Sequence, residues 1–470
     1  MMHEFLQHIL RTLEVGAIFV VPAVVICIAA LAVAFIVTKK RGRSFDWLRA
    51  AAILILCGWF VLTVYVTLLR GENMSSYYNF QLFLAWQEAW NRFTLQVWLN
   101  VLLNIALFIP LGVLPLVFRY AEKWYLMLAT GFLTSLAIES IQLVTRRGMF
   151  DVDDLFTNTV GAMLGWGIVM AIRAIIRKGD GWKRRCLAFA AVPASVILSI
   201  SSIFVVYALK PYGNFPDAPT RTAKIDRIDW RPAFTPSDTA ETARVYKVGR
   251  LSQAESDSFA ADFAAKQGIE FTETYYYDDF IMYVSRLTGD FLDLYQQNGT
   301  WSYKIGRDRF PTFDCEPTEV DRDTLASLLA EYGVVIPPEA TFEYEPRGSM
   351  YNAIFDAALI QSGDDYYYGT VTCQLGVDGD TTLLQEISNS MVMMSPSEEV
   401  SVCSQSDALE RLYAGHSFYG TRLEYYDGYI IEVVSCELEL MADTKGYYQP
   451  VWRIEIMNGN EQFIDFVPAR

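Results

Sequence analysis

Six apolar runs of transmembrane length occupy the first 208 residues of this chain, and the later residues contain no such run. A helix needs about 20 apolar residues to cross the hydrocarbon core of a bilayer. The runs cover residues 16–37, 49–69, 97–118, 124–144, 158–176 and 187–208. The sequence therefore predicts a polytopic α-helical membrane domain over residues 1–208.

The charge of the chain divides at the same place. Residues 1–208 carry a formal charge of +7, whereas residues 209–470 carry −23. Between the two parts, residues 209–219 contain three prolines and a glycine, a composition typical of a linker. The sequence thus predicts a membrane domain, a linker over 209–219 and an acidic soluble domain over 220–470.

The lysines and arginines of the short loops indicate the orientation in the cell membrane. Thirteen lie in the loops on one side of the six runs and five on the other. Cytoplasmic loops carry the excess of positive charge. The N-terminus and residues 209–470 are therefore expected to be extracellular.

Polar residues interrupt three of the runs. Glu139, Gln142 and Arg146 recur at three- and four-residue steps and so share one helix face. Asp154 and Asn158 share a face of the next run in the same way. With the predicted orientation, these groups converge at the outer leaflet. The candidate binding pocket comprises Asn100, Asn104, Glu139, Gln142, Arg146, Arg147, Asp151, Asp154 and Asn158.

Glu139 carries the strongest functional signal, because an ionisable side chain within a membrane span costs about 2.5–3.5 kcal/mol on insertion scales. It is a candidate proton carrier or headgroup clamp. The structural alternative is an ion pair with Arg146 or Arg147 that holds two spans together. The two arginines either bind phosphate, which the guanidinium group fits well, or extend to the interface from a span end.

Asp151, Asp153 and Asp154 allow two interpretations. Carboxylate oxygens bind divalent cations, but D-x-D-D alone lacks the rest of any calcium-loop pattern. A solvated turn whose aspartates cap the fifth span is the favoured interpretation. No metal site is predicted.

An amphipathic stretch separates the second and third runs. Apolar and aromatic residues from Phe80 to Val97 recur at helical spacing, and Gln81, Gln87, Glu88 and Asn91 occupy the opposite face. This pattern fits an interfacial helix with tryptophans at headgroup level. It fits a helix packed on the other spans equally well.

Three ordered blocks of this region resemble the VanZ-like family. They are Asn104-Ile-Ala-Leu-Phe-Ile-Pro-Leu-Gly112, Glu139-Ser-Ile-Gln142 and Arg147-Gly-Met-Phe-Asp151-Val-Asp153-Asp154 with Asn158-Thr-Val-Gly161. The resemblance covers about residues 50–176. It implies a bacterial cell-envelope protein with a role in low-level resistance to teicoplanin, in a family with no settled biochemical activity. The sixth span and the large outer domain are departures from the family pattern.

The soluble part shows helix signals followed by strand-rich stretches. Ser252-Gln-Ala-Glu255 is a capping box and Gly268 a predicted helix end, and Thr318 to Gly333 and Ser404 to Gly415 repeat this pattern. Leu423–Met441 is rich in residues that favour strands. Along Val451–Met457 two sets of residues alternate, as in a strand: Trp452, Ile454 and Ile456 against Val451, Arg453 and Glu455. These signals predict an extracellular α+β domain with antiparallel sheets, as one body or as two similar subdomains.

The last segment resembles the outer domains of YycH/YycI-type regulators. The resemblance rests on the short helix that ends at Gly415 and on Tyr448-Gln-Pro-Val-Trp-Arg453. It implies a protein partner for the ectodomain, of the kind that such regulators find in a membrane sensor kinase.

The sequence lacks the motifs of several classes of protein that bind cofactors or nucleic acids. The three histidines lie outside the spans, and the sequence has no phosphate-binding loop, dinucleotide signature, zinc motif or basic nucleic-acid face. We therefore predict no cofactor and no nucleic-acid partner. Cys315, Cys373, Cys403 and Cys436 are compatible with one or two extracellular disulfides, and their spacing leaves the pairing open.

Three functions remain open at this point. The first is a role in the envelope that lowers susceptibility to lipoglycopeptides, with membrane lipids, anionic or lipid-linked headgroups among them, as ligands. The second is a regulatory or binding module whose ectodomain contacts a partner. The third is an enzyme on lipid-linked phosphates with Glu139 as base, which is the weakest because no nucleophile or metal set is complete.

Overall fold

The computed structural model describes residues 2–69, 78–277, 280–306, 320–347, 350–378 and 381–470. The chain forms two compact units. The first comprises Met1–Trp90 and Thr94–Lys210, and the second comprises Asn91–Phe93 and Pro211–Arg470. Cys315 lies outside the described residues, and Cys373, Cys403 and Cys436 have free thiols.

The first unit is built from helices. Six of them are long and apolar enough to cross a membrane, which confirms the predicted polytopic domain. The α-helices are α1 Met2–Lys40, α2 Trp47–Val64, α3 Leu84–Arg92, α4 Leu95–Phe108, α5 Leu114–Val117, α6 Trp124–Thr145, α7 Val152–Arg177 and α8 Trp182–Leu209. Two short strands, β1 Tyr78–Asn79 and β2 Phe150–Asp151, pair in parallel.

Local sequence explains where these helices break and begin. The third span changes to a 3₁₀ helix over Ile109–Val113, because Pro110 cannot donate the hydrogen bond that an α-helix needs there. The fifth span begins at Val152, earlier than the predicted residue 158. Its N-cap is Asp151, whose carboxylate accepts a hydrogen bond from Asp153 N at 2.8 Å. Acidic residues in a first turn also favour the positive end of the helix dipole.

Glycines bring the spans into backbone contact. A methyl group at Gly161 would lie 2.1 Å from the Ile105 carbonyl oxygen, and one at Gly165 would lie 2.0 Å from the Ile109 oxygen. On the other side of α7, Gly131 of α6 faces Ala162. Small residues at these positions allow the helices to approach closely. This close approach places the polar faces of α4, α6 and α7 against one another.

The amphipathic stretch forms a helix that packs on the spans. The helix α3 is shorter than the pattern suggests, and Ala89 on its inner side is fully buried. The Trp86 ring meets the ring of Trp98 of α4 at 6.0 Å, and the Trp90 ring meets that of Tyr207 of α8 at 6.1 Å. The tryptophans therefore form part of the helix packing.

The second unit contains four α-helices and fourteen strands among its described residues. The helices are α9 Gln253–Gln267, α10 Arg322–Glu331, α11 Gln405–Tyr413 and α12 Gly420–Leu423. The strands are β3 Asp229–Pro232, β4 Glu241–Lys247, β5 Glu273–Tyr276, β6 Ile281–Val284, β7 Phe291–Leu294, β8 Trp301–Lys304, β9 Thr341–Arg347, β10 Met350–Ser362, β11 Asp365–Asp378, β12 Thr381–Asn389, β13 Val392–Val402, β14 Ile430–Ala442, β15 Tyr447–Asn458 and β16 Glu461–Pro468.

These strands form one sheet with mostly antiparallel neighbours, as predicted. The order is β3-β14-β15-β4-β13-β11-β12-β8-β7-β6-β5, with β16 beside β15 and β10 between β11 and β9. The pair β3–β14 is parallel. Two large apolar cores cover the sheet. One includes Phe263 of α9 and Phe355 of β10, and the other includes Leu409 of α11 and Trp452 of β15.

Most helix signals of the second unit are confirmed. Ser252 and Glu255 form the predicted capping box, and Gly268 ends α9 with a φ of 64°. A second capping box joins Ser404 to Asp407. Two details differ from the predictions. Asp321 provides the cap of α10, and Thr318 lies outside the described residues. The strand predicted from Leu423 begins at Ile430.

The segment predicted as a linker is partly folded into the second unit. Tyr212 is buried, Gly213 N donates a hydrogen bond to Asp443 Oδ2 at 2.6 Å, and Asn214 N donates to Thr444 Oγ1 at 2.9 Å. A methyl group at Gly213 would lie 2.6 Å from Lys445 N, so only glycine fits at this position.

Candidate functional site at the junction of two spans

The turn between α6 and α7 is held in a defined conformation. Arg146 ends α6 with a φ of 57°, and the backbone N–H groups of Arg146 and Arg147 both donate to the Gln142 carbonyl oxygen. After Gly148, the chain enters β2, which pairs with β1. The turn therefore returns the chain directly into α7 and sets its polar face against that of α6.

Glu139 lies within this junction and is 2 % exposed. Its Oε2 atom accepts a hydrogen bond from Asp151 N at 3.1 Å. The Asp154 carboxylate is close enough to interact electrostatically with it. Neither Arg146 nor Arg147, both exposed, lies within ion-pair distance of Glu139 in the part of the chain that the structure describes. The ion pair considered as a structural alternative is therefore not formed.

Asp154 connects α7 to the two neighbouring spans. Its carboxylate accepts a hydrogen bond from Asn104 Nδ2 of α4. Its carbonyl oxygen accepts from Ser135 Oγ of α6 at 3.3 Å, and Asn158 Nδ2 donates to the same hydroxyl at 2.9 Å. Asn104, Glu139, Asp154 and Asn158 are thus brought together as the sequence indicates. Ser135 of α6 also joins the hydrogen-bond network.

Asp153 has a role that the sequence did not reveal. It is 1 % exposed, and its carboxylate accepts hydrogen bonds from Phe83 N at 2.5 Å and Ala85 N at 2.7 Å. It thereby fixes the start of α3. Asp151 accepts from Asn79 Nδ2 at 3.1 Å. Burial raises the pKa of the Asp151 carboxyl, and the hydrogen bond from Asp153 N partly offsets this effect.

These contacts bear on the two interpretations of the aspartates. Asp151 and Asp153 are bonded to backbone N–H groups at the starts of α7 and α3, as capping residues are. Within the described ranges, no group of three or more His, Cys, Asp or Glu side chains is arranged to hold a metal ion. The capping interpretation agrees with the bond of Asp151 at the start of the fifth span, but Asp153 is buried rather than solvated and caps α3 instead.

The remaining predicted residues lie at the edge of the junction or outside it. Gln142 Nε2 donates to the Thr67 carbonyl oxygen at 3.1 Å, and Arg147 NH1 donates to the Leu68 oxygen at 3.3 Å. Asn100 is exposed on α4 and does not join the cluster. It lies four residues before Asn104, about 6 Å nearer the start of that helix, which takes it away from Asp154.

We call Asn104, Ser135, Glu139, Gln142, Asp154 and Asn158 the polar site. It is rich in hydrogen-bond acceptors. Gln142 Oε1 and Asn158 Oδ1 are buried and have no donor among the described residues. Among the described residues, Glu139 accepts a single hydrogen bond, from Asp151 N. Because these oxygens accept so few hydrogen bonds from the described residues, they need other donors. Hydroxyl groups, an ammonium group, water or a proton could supply them.

Comparison with known proteins identifies the surrounding region. Residues 50–174 match the family model VanZ/LLP1. This region is VanZ-like. A search of curated proteins found no match to the chain.

The VanZ-like region extends from α2 into the last turns of α7 and contains every residue of the polar site. Arg146, Arg147 and the capping residues Asp151 and Asp153 also lie within it. The helices α1 and α8 fall outside the matched residues, as does the second unit except for Asn91–Phe93. The polar site is therefore a feature of the VanZ-like part of this membrane protein.

Proposed function

We propose that this VanZ-like membrane protein acts in the bacterial cell envelope and lowers susceptibility to lipoglycopeptides such as teicoplanin by binding a polar headgroup at its polar site. The observation that carries the proposal is Glu139, which is buried in a span without an arginine or lysine partner among the described residues. Such a carboxylate is costly in a membrane and marks a functional site by default.

The chemistry of the site favours a headgroup that presents hydrogen-bond donors beside a phosphate. Glu139 and Asn158 offer acceptor oxygens inside the junction, and Gln142 offers one at its edge. Arg146 and Arg147 are exposed where α6 ends, and guanidinium groups pair with phosphate oxygens. A headgroup with hydroxyl or ammonium groups and a phosphate would complement both parts. The proposed role is binding rather than catalysis.

The proposal requires the polar site and the second unit to be on the outer side of the membrane, as the loop charges predict. In intact cells, a membrane-impermeant thiol reagent should label a cysteine at the exposed position Asp226 and leave one at Gly42 unlabelled. The control is the same chain without either added cysteine. Labelling at Gly42 with protection at Asp226 would invert the orientation and place the site at the inner leaflet.

The direct functional test is Glu139→Gln. Glutamine keeps the volume and one acceptor oxygen but removes the charge, so we expect the teicoplanin susceptibility of cells expressing the variant to rise to that of cells lacking the protein. Arg147→Ala should raise it in part, through loss of a charge-assisted bond worth about 1.5–3 kcal/mol. The matched control is Glu88→Gln, which removes an exposed carboxylate from α3.

Membrane abundance of each variant must be measured beside the susceptibility. Full protection by well-expressed Glu139→Gln and Arg147→Ala proteins would refute the role of the polar site. The ectodomain would then become the candidate functional part, as the resemblance to YycH/YycI-type regulators suggests.

A further inference from the structure

A tryptophan-lined groove lies beside the last turns of α8. Its volume is about 300 Å³. The lining residues are Trp86 and Trp90 of α3, Trp98 of α4, and Ser202, Ile203 and Val206 of α8. Ser202 and Val206 are exposed. Because α8 has the length and composition of a membrane span, we expect its exposed residues beside the groove to face lipid.

Aromatic packing gives the groove preformed walls. The Trp98 ring contacts the rings of Trp86 at 6.0 Å and Phe204 at 4.9 Å, and Trp90 contacts Tyr207 at 6.1 Å. Small-molecule sites commonly have volumes of about 300–1,000 Å³. A groove at the lower end of this range has room for one hydrocarbon chain and not for a whole lipid.

Two polar features at the groove specify the rest of the ligand. The Lys210 Nζ atom lies 5.4 Å from the centroid of the Trp90 ring, so a positive charge stands where α8 ends. Trp86 Nε1 is buried and has no acceptor among the described residues. A glycerophospholipid presents a phosphate for the ammonium group and an ester carbonyl for the indole N–H. A polyprenyl phosphate lacks the ester, and its chain is methyl-branched.

We propose that this groove binds one acyl chain of an anionic glycerophospholipid, with the phosphate at Lys210 and an ester carbonyl at the indole N–H of Trp86. The site shares no residue with the polar site and goes beyond the proposed headgroup function. The two are nevertheless connected through α3, because Asp153 beside the polar site fixes the start of the helix that carries Trp86 and Trp90.

Native mass spectrometry of the full chain tests the proposal. The protein is reconstituted in nanodiscs of equal phosphatidylglycerol and phosphatidylcholine content, transferred to detergent and washed. We expect the wild type to retain one phosphatidylglycerol. Val206→Trp places an indole ring in the groove and should lower retention at least about tenfold, because the ring takes up the space of the acyl chain. The matched control is Val205→Trp on the same helix, which adds the same side chain at an exposed position outside the lining and should retain lipid as the wild type does.

A second variant tests the headgroup assignment. Lys210→Gln should reduce the preference for phosphatidylglycerol over phosphatidylcholine about tenfold, as expected for the loss of one charge-assisted contact, and should leave total occupancy unchanged. Equal retention by Val206→Trp and Val205→Trp would overturn the proposal. Displacement of phosphatidylglycerol by an equimolar polyprenyl phosphate would also overturn it and assign the groove to an isoprenoid lipid.

Discussion

Buried carboxylates in the two units of this protein have very different surroundings. In the second unit, Asp443 is fully buried and accepts four hydrogen bonds, from Lys445 N, Tyr447 N, Gly213 N and Gln449 Nε2, at 2.6–3.0 Å. In the first unit, Glu139 is almost as deeply buried and accepts one hydrogen bond from the described residues. The described residues supply Asp443 with a full set of hydrogen-bond donors, whereas they supply Glu139 with only one.

We propose that this difference separates structural carboxylates from functional ones. A carboxylate that accepts several N–H bonds replaces the water it lost on burial, and it organises the backbone that donates to it. Glu139 retains unused acceptor capacity beside Asp154, in a span where water is scarce. Such a group remains available for a ligand or a proton. The stability cost of neutralising Asp443 should therefore be much larger than that of neutralising Glu139.

The largest effect is expected for Asp443→Asn. The new amide nitrogen cannot accept, so two of the four donors lose their partner, and the free energy of unfolding should fall by about 3–5 kcal/mol. We expect residues 211–470 to fold without the spans, and urea unfolding of this fragment gives the measurement. The exposed Asp226→Asn is the control, with an expected change of about 0.5 kcal/mol or less. A fall below about 1 kcal/mol for Asp443→Asn would show that saturation does not indicate a structural role.

A smaller effect of opposite sign is expected for Asp293 of β7. Its Oδ1 atom is buried without a donor among the described residues. Burial, with a smaller contribution from Glu386, raises the pKa of Asp293 to about 6. The folded state therefore binds the proton more tightly than the unfolded state, and stability falls as the pH rises from about 4 to 6.

Asp293→Asn removes this penalty. We expect the 211–470 fragment to gain about 1–2 kcal/mol at pH 7, less than the full pKa shift implies because the side chain is only half-buried. The gain should vanish below about pH 4, where both states of Asp293 are protonated. Urea unfolding of the two proteins between pH 4 and 8 measures it. An equal gain at all these pH values would mean that the carboxylate charge is not its source.

The sequence predicted the parts of this structure that depend on local patterns. Hydropathy located the six spans, and helical spacing placed Glu139 beside Gln142 and Asp154 beside Asn158. The predicted direction of each span then placed the polar ends of α4, α6 and α7 on the same side. In the structure, Asn104 is bonded to Asp154 there. Cap residues located α9 and α11 because a capping box is contained within four consecutive residues.

Contacts between distant residues explain what the sequence did not predict. The donors to Asp153 belong to Phe83 and Ala85, about 70 residues earlier. Asn100 shares a helix face with Asn104, but spacing alone does not show how far along α4 the partner helix reaches. The composition of 209–219 suggested a free linker, and the binding of Gly213 to Asp443 depends on a residue 230 positions later.

The most direct test of the distinction between the two carboxylates combines stability and ligand retention for Glu139→Gln. Thermal unfolding of the purified full chain in detergent should show a change of about 1 kcal/mol or less, because glutamine keeps the acceptor for Asp151 N and no ion pair is lost. Lipid mass spectrometry of the same preparation should show loss of the headgroup-bearing ligand that the wild type retains. A loss of about 3–5 kcal/mol with unchanged ligand content would contradict the account and make Glu139 a structural residue.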